Sequence, residues 1–346
     1  MCLSWNLSIG FCRFFAVIVL TQYICVCRIT DRKHRLNEGY FIVGTQYNTA
    51  VEPSCRIGYD CRVATSAKEF FDTIRFEHTI FALPFAYMTL FLASKGWPAA
   101  ADLVWITIAM VAGRTFGMAA NRLIDAGIDA RNPRTSGRAL PAGRLSKASV
   151  TGYMATTLAL FLVAVYNLQP VCRKLWPIVI VAMVVYPYVK RFTWVCHLFL
   201  GLVYVMIPTA VWLAVTNELS RTAVVLGVGA GLWVAGFDII YACQDVDVDR
   251  REGLHSIPAD LGLVPAMWIA RIFHAGFVGA LAYAGALLGA GVFYYVGLAA
   301  TMFVLIYEHR LVSPNDLSSI NAAFFTANGV ISVVLFVLVA VDTIVA

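Results

Sequence analysis

Charge is what this chain has least of. Only 13% of its 346 residues are Asp, Glu, Lys or Arg, against about a quarter in a soluble domain. With 60% apolar residues, most of the chain is expected to sit in lipid. The net charge of +6 makes no nucleic-acid footprint, because the basic residues are scattered between apolar runs; no nucleic-acid partner is expected. Zinc-ligand spacing is missing too. Cys2, Cys12, Cys25, Cys27, Cys55 and Cys61 crowd the start of the chain, but Cys25-x-Cys27 has no second Cys/His pair at ligand distance. Cys172, Cys196 and Cys243 lack the His-Asp context of a nucleophile, and Cys243 is read as helix packing. His78 and His255 are read as structural.

Apolar length stands where charge is missing. Nine hydrophobic segments lie near 77–94, 100–120, 149–167, 175–189, 193–215, 222–243, 263–286, 288–307 and 319–345. Most reach the ~20 residues that cross a bilayer as a helix; the fourth is short and must tilt or run longer. The expected fold is an all-α integral membrane protein. Arg122, Arg131, Arg134, Arg138, Arg144 and Lys147 lie between segments two and three. Lys190 and Arg191 follow segment four, Arg250 and Arg251 segment six, and Arg310 segment eight. The opposite connections hold only Lys95, Arg173, Lys174 and Arg221. The positive-inside rule makes the even-to-odd loops cytoplasmic. Gly227, Gly229 and Gly231 suit close helix packing in lipid and carry no chemistry.

Acids are few and concentrated. Asn121-Arg-Leu-Ile-Asp125-Ala-Gly-Ile-Asp129 and Asp238-Ile-Ile-Tyr241-Ala-Cys-Gln-Asp245-Val-Asp-Val-Asp249 each end a hydrophobic segment on the side read as cytosolic. On a helix, Asn121, Asp125 and Asp129 form one stripe, and Asp238, Tyr241, Asp245 and Asp249 another, with Asp247 turned away. Carboxylates beside a bilayer are costly unless cations neutralise them. Mg²⁺ takes one or two carboxylates together with phosphate oxygens, so two facing rows suit two ions with a diphosphate between them. Acids that only pair with loop arginines and fix topology would account for one row more readily than for two on one membrane face. Cations are near: Arg114 inside segment two, Arg75 at the entrance to segment one, and Lys190-Arg191 after Tyr186-Pro-Tyr188. An anionic head group or organic carboxylate would satisfy them, with snorkelling as the alternative.

These residues resemble the UbiA family of intramembrane aromatic prenyltransferases. Asn121-x3-Asp125-x3-Asp129 is similar to that family's N-x-x-x-D-x-x-x-D signature, and Asp238-x2-Tyr241-x3-Asp245-x3-Asp249 to its D-x-x-Y-x-x-x-D-x-x-x-D signature. The stretches Arg75–Pro84, Asn132–Pro141 and Tyr186–Thr193 support the likeness, which covers roughly residues 66–346. The resemblance implies nine transmembrane helices around a central cavity capped on the cytosolic side, in a bacterial inner membrane. It implies that Asn121, Asp125, Asp129, Asp245 and Asp249 hold Mg²⁺ and a polyprenyl diphosphate, with Arg131 and Lys190 on phosphate oxygens. Arg75 and Arg114 become candidates for the aromatic acid or the diphosphate end, and Tyr186 and Tyr241 for substrate contact. Asp238 would orient or deprotonate a phenolic acceptor. The implied acceptor is 4-hydroxybenzoate, in respiratory quinone synthesis. After Asp249, however, His255-Ser256 stands where many 4-hydroxybenzoate enzymes carry Lys-Ser, which leaves open a dihydroxynaphthoate in menaquinone synthesis.

Other classes predict different features. A membrane phosphatidyltransferase resembles a D-G-x2-A-R pattern that is absent here. A cation channel or transporter would place its acids near the bilayer midplane rather than at helix ends. Soluble terpene synthases share aspartate rows but not this hydropathy.

Residues 1–65 form an extension outside the likeness. An apolar run from Leu7 to Cys27, broken by Arg13, is followed by Arg28, Arg32, Lys33 and Arg35, and 37–64 lacks periodicity. A signal anchor, a tenth span and a start codon assigned too far upstream remain as three readings. The last predicts that intact-mass analysis of the native protein lacks Met1 through Cys61; finding that segment in the mature chain overturns it.

Overall fold

Apolar runs punctuated by Ser, Asn, Gly and Pro fold here as helices. The structure, a computed structural model, describes residues 69–70 and 79–345, all within one compact unit. The 1–65 extension with its cysteines, Arg75 and His78 lie outside the described residues. Among the described residues the only β pairing is one bridge, Ser313 to Asp316.

The helices are α1 (Thr79–Ser94), α2 (Ala100–Ile124), α3 (Ala126–Arg131), α4 (Lys147–Tyr166), α5 (Pro170–Val189), α6 (Cys196–Thr216) and α7 (Arg221–Ala242). There follow α8 (Val246–Glu252), α9 (Ile257–Leu261), α10 (Leu263–Leu288), α11 (Val292–Leu311) and α12 (Ile320–Ala322). A π-helical turn, Ala323–Ala327, leads into α13 (Asn328–Val345). Starts are set by side-chain caps: Ser146 accepts from Ser149 N, Ser220 from Ala223 N, and Ser256 from Ala259 N. Among the described residues, eight helices are long and apolar enough to cross a membrane, and the apolar part of α1, Ala82–Ser94, is shorter. The fourth segment runs longer than its apolar stretch. Pro170, suited to a first helical turn, starts α5 early and brings Arg173 and Lys174 into the helix.

Helix α7 forms the axis. Its apolar window is 67% buried, against 6% for α5, which places α7 in the bundle core and α5 at its edge. Backbone contact fixes α7 against α6. A Cβ at Gly231 would stand 2.8 Å from the carbonyl oxygen of Gly201, and one at Gly201 2.7 Å from that of Gly231. In lipid, where no hydrophobic force distinguishes helix from solvent, such close packing holds helices together. Buried polar groups add directed contacts. Trp233 Nε1 donates to Asn328 Oδ1 at 2.8 Å, and Asn328 Nδ2 donates to the Phe324 carbonyl at 3.0 Å, tying α7 to the π-helical turn.

Both acid rows depart from the continuous stripes expected of them. The first helix ends at Ile124, and Asp125, with φ −93° and ψ 7°, joins it to α3; Asp125 N and Asp129 N still reach Asn121 O and Asp125 O, at 2.9 and 2.8 Å. The second row is broken more fully. Cys243, Gln244 and Asp245 N–H groups bond carbonyls three residues back, tightening and ending α7, so Asp245 stands at the N-cap of α8 and Asp249 within it.

The Gly201–Gly231 crossing leads to a stability prediction. Gly231→Val should lower stability by roughly 1–3 kcal/mol through overpacking, seen as a lower Tm in detergent. Gly279→Ala, where a Cβ meets nothing within 4 Å, should leave Tm unchanged.

Candidate active site

The loop after α3 folds back over the end of α7 and brings the two rows together. Arg134, three residues past α3, donates Nε to Asp245 Oδ1 at 3.0 Å, pairs Nη2 with Oδ2, and gives Nη1 to the Tyr241 hydroxyl at 3.1 Å. Asn132 Nδ2 also reaches Asp245 Oδ1, at 3.1 Å. Arg138 forks onto both oxygens of Asp129, at 2.7 and 2.8 Å, with Arg122 at 3.7 Å behind. Across the site, Lys190 Nζ donates to Asp125 Oδ2 at 2.6 Å and Arg191 Nη2 to Oδ1 at 3.0 Å. Asp125 is only 2% exposed, and Lys190 and Arg191 each take one of its oxygens.

The remaining expected residues fall in distinct places. Asn121 Nδ2 donates to the Tyr186 hydroxyl at 2.7 Å, and Tyr186 lies within the field of both Asp125 and Asp238. Arg114 points into an apolar cavity and donates Nη1 to the Tyr204 hydroxyl at 3.2 Å; among the described residues no carboxylate pairs with it. Arg131 is exposed, its Nε donating to Glu252 Oε2 at 2.6 Å, three residues past Asp249 on α8. Arg134 and Arg138, from the same loop, take the positions on row acids. Sequence spacing did not single them out, because their partners lie in another motif or are one choice among many. Asp238 pairs with His197, Nδ1 to Oδ2 at 2.7 Å, a residue that no motif marked. His255, read as structural, binds Asp260 through Nδ1 at 2.9 Å and Lys190 O through its backbone N–H at 2.7 Å.

Behind Tyr186 and Arg114 lies a cavity of about 1230 Å³ of empty space, part of it open to the outside. Its walls are apolar, from Met118 and Met183 near the acids to Ile106 and Leu213 at the far end. Twelve residues of α2 separate Met118 from Ile106, about 18 Å of wall. Tyr241 packs on Phe324 of the π-helical turn at 4.4 Å, and Phe237 meets the same ring at 5.2 Å, an aromatic flank on the α7 side.

The donor set is hard: carboxylate and amide oxygens, with no thiolate or imidazole in either row. Among the described residues no three acidic, His or Cys groups stand close enough together to hold a metal ion by themselves. Mg²⁺ takes water and phosphate oxygens for much of its shell, and the hard oxygens of the two rows suit it. Burial pushes the Asp249 carboxyl up to about 6, helped by the Asp245 charge and opposed by the Ser256 hydrogen bond.

Comparison with known proteins settles the family. Residues 82–330 match the model of the UbiA prenyltransferase family. The chain belongs to that family. It is 28% identical over 276 residues to a 4-hydroxybenzoate octaprenyltransferase of Vibrio atlanticus, covering 77% of this chain and 94% of the relative. A protein of the same description from Shewanella frigidimarina is 29% identical over 256 residues, covering 74% and 88%. Among solved structures, the apo UbiA homologue of Aeropyrum pernix K1 superposes with a TM-score of 0.70 at 32% identity, covering 77% of this chain and 98% of that one. A UbiA homologue from Archaeoglobus fulgidus bound to GPP and Mg²⁺ shares the fold, with a TM-score of 0.56 at 19% identity and coverage of 79% and 99%. This UbiA-family chain is thus an integral membrane prenyltransferase.

The raised Asp249 carboxyl carries a pH prediction. It is neutral below about 6 and charged above, and an ion needs the charged form. Mn²⁺ affinity of the purified protein, followed by electron paramagnetic resonance, should rise from pH 5 to pH 7. Asp249→Asn should flatten that rise.

Proposed function

We propose that this enzyme transfers a polyprenyl group from polyprenyl diphosphate to the ring of an aromatic carboxylic acid, 4-hydroxybenzoate, in respiratory quinone synthesis. The observation that carries the reading is one arrangement. The two acid rows and their paired cations are drawn together by Arg134, Asn121 of the first row bonds Tyr186 on the wall of an apolar cavity, and Arg114, with no carboxylate partner among the described residues, lines the same cavity. The diphosphate belongs with the acids and cations, the tail with the apolar walls, and the acceptor carboxylate with Arg114 and Tyr204. Residues 66–346 carry this activity, and 1–65 stand apart from it. The basic loops beside the acids support a site that faces the cytosol, in a bacterial inner membrane.

Asn121, Asp125, Asp129, Asp245 and Asp249 would hold Mg²⁺, which when bound supplies positive charge against the diphosphate oxygens. Lys190, Arg191, Arg134 and Arg138 are already within reach of that charge and turn from carboxylate to phosphate oxygens as it grows. As the prenyl C1–O bond breaks, its electron pair leaves with the diphosphate. The ring of Tyr186, which lines the cavity, borders the allylic cation, and the apolar walls keep water from capturing it. Asp238 orients the acceptor hydroxyl and takes its proton. A ring carbon beside that hydroxyl then bonds C1, and migration of the ring proton restores both hydroxyl and aromaticity.

Membranes containing the protein, Mg²⁺ and a polyprenyl diphosphate should prenylate 4-hydroxybenzoate, detected by mass spectrometry in a panel that includes a dihydroxynaphthoate. Product on the naphthoate alone would move the enzyme to menaquinone synthesis. Ion flux without any product would support the transport reading. Asp125→Ala and Asp245→Ala should each lower turnover by about 10²-fold or more. Arg114→Met removes a charge-assisted contact and should raise the KM for the aromatic acid by roughly tenfold or more, with the donor KM unchanged.

A further inference from the structure

Three consecutive residues, His255, Ser256 and Ile257, each touch a different part of the site. The His255 N–H donates to the Lys190 carbonyl at 2.7 Å, and Lys190 holds Asp125. The Ser256 hydroxyl donates to Asp249 Oδ2 at 2.9 Å. The Ile257 N–H, in the first turn of α9, points at His197 Nε2 at 3.3 Å. With Nε2 accepting from Ile257, the ring hydrogen is assigned to Nδ1, facing Asp238 Oδ2 at 2.7 Å. His197, the second residue of α6, is 3% exposed. Its imidazole therefore bridges a backbone donor of the cap to a carboxylate of the acid motif.

We infer that His197 is a positioning residue for Asp238: held in one tautomer by the Ile257 N–H, it fixes one carboxylate oxygen and leaves the other free for the acceptor hydroxyl. The side chain of Asp238 is 30% exposed, so one of its edges remains open while His197 holds the other. The inference rests on the reading of Asp238 as the group that meets the acceptor. It adds a consequence for the cap. The seat of α9 sets the aim of Asp238 through His197, while Ser256 and His255 reach Asp249 and the Lys190 backbone from the same stretch. A buried imidazole with both nitrogens used is also a device that a glutamine can copy, with its amide N–H for Asp238 and its carbonyl for Ile257.

Kinetics of full-length protein in nanodiscs separate positioning from packing. His197→Leu should lower kcat by about 10- to 100-fold and raise the acceptor KM, while the polyprenyl diphosphate KM stays within about twofold. His197→Gln should restore kcat to within about threefold of the native enzyme. Equal impairment of Leu and Gln variants that melt like the native protein would overturn the inference, as would a folded Leu variant with native kcat and acceptor KM. A second measurement is independent of turnover. ¹⁵N-histidine spectra of the native protein, with His197 identified among six histidines by its loss in His197→Gln, should show the Nδ1–H tautomer, displaced by Asp238→Asn. An Nε2–H tautomer, or a signal indifferent to Asp238→Asn, would overturn it even if the protein prenylated nothing. Absence of product on every aromatic acid, with the tautomer as expected, would fault the acceptor reading instead.

Discussion

Carboxylates at the edge of a low-dielectric bundle must be compensated, and the site is built around that requirement. A buried ion pair adds little net stability, but stripping away one partner leaves a charge stranded at a cost of about 3–5 kcal/mol. Asp125 is buried between Lys190 and Arg191, Asp129 beneath Arg138, and Asp245 under Arg134. Two of these pairings cross between elements, the end of α5 with the end of α2 and the α3 loop with the start of α8, while Asp129–Arg138 closes the α3 loop on its own helix. Compensation thus draws the two halves of the motif set onto one face. The cations that balance these acids are the ones the proposed diphosphate would meet.

The aromatic and polar contacts behind this face have a different task. Asn328 closes the first turn after a π-helical stretch, accepts the Trp233 indole N–H and holds the Phe324 carbonyl. Phe324 in turn lies against Tyr241 and Phe237. A π turn carries one residue more than an α turn needs, and such bulges re-aim the side chains that follow. Here the aimed ring backs the tyrosine of the second motif, so a polar contact well inside the bundle supports an aromatic surface at the site.

Much of this was readable from the chain. Long apolar runs located the helices to within a few residues, because length and hydropathy decide a span almost alone. Spacing identified Asn121, Asp125, Asp245 and Asp249 as site candidates, and Tyr186 and Asn121 now share a hydrogen bond. The misses were contacts across the fold. Arg134 finds Asp245 over 111 positions, and His197 finds Asp238 over 41. Spacing describes neighbours on one helix and is silent on such pairs. It also assumed unbroken helices, whereas the chain turns at Asp125 and again between Cys243 and Asp245. Arg131 and Arg134 differ by three positions in one basic loop, and only tertiary placement tells the partner of Glu252 from the one on the row.

The glycine crossing of α6 and α7 reaches further than packing. Gly201 lies about one turn beyond His197, and Gly231 about two turns before Asp238, so the point where the two backbones touch is the fulcrum between these side chains. Any bulk placed there rotates or separates the two helices and swings the imidazole away from the carboxylate. On the proposed role of Asp238, thermal robustness and proton handling are one structural variable at this crossing.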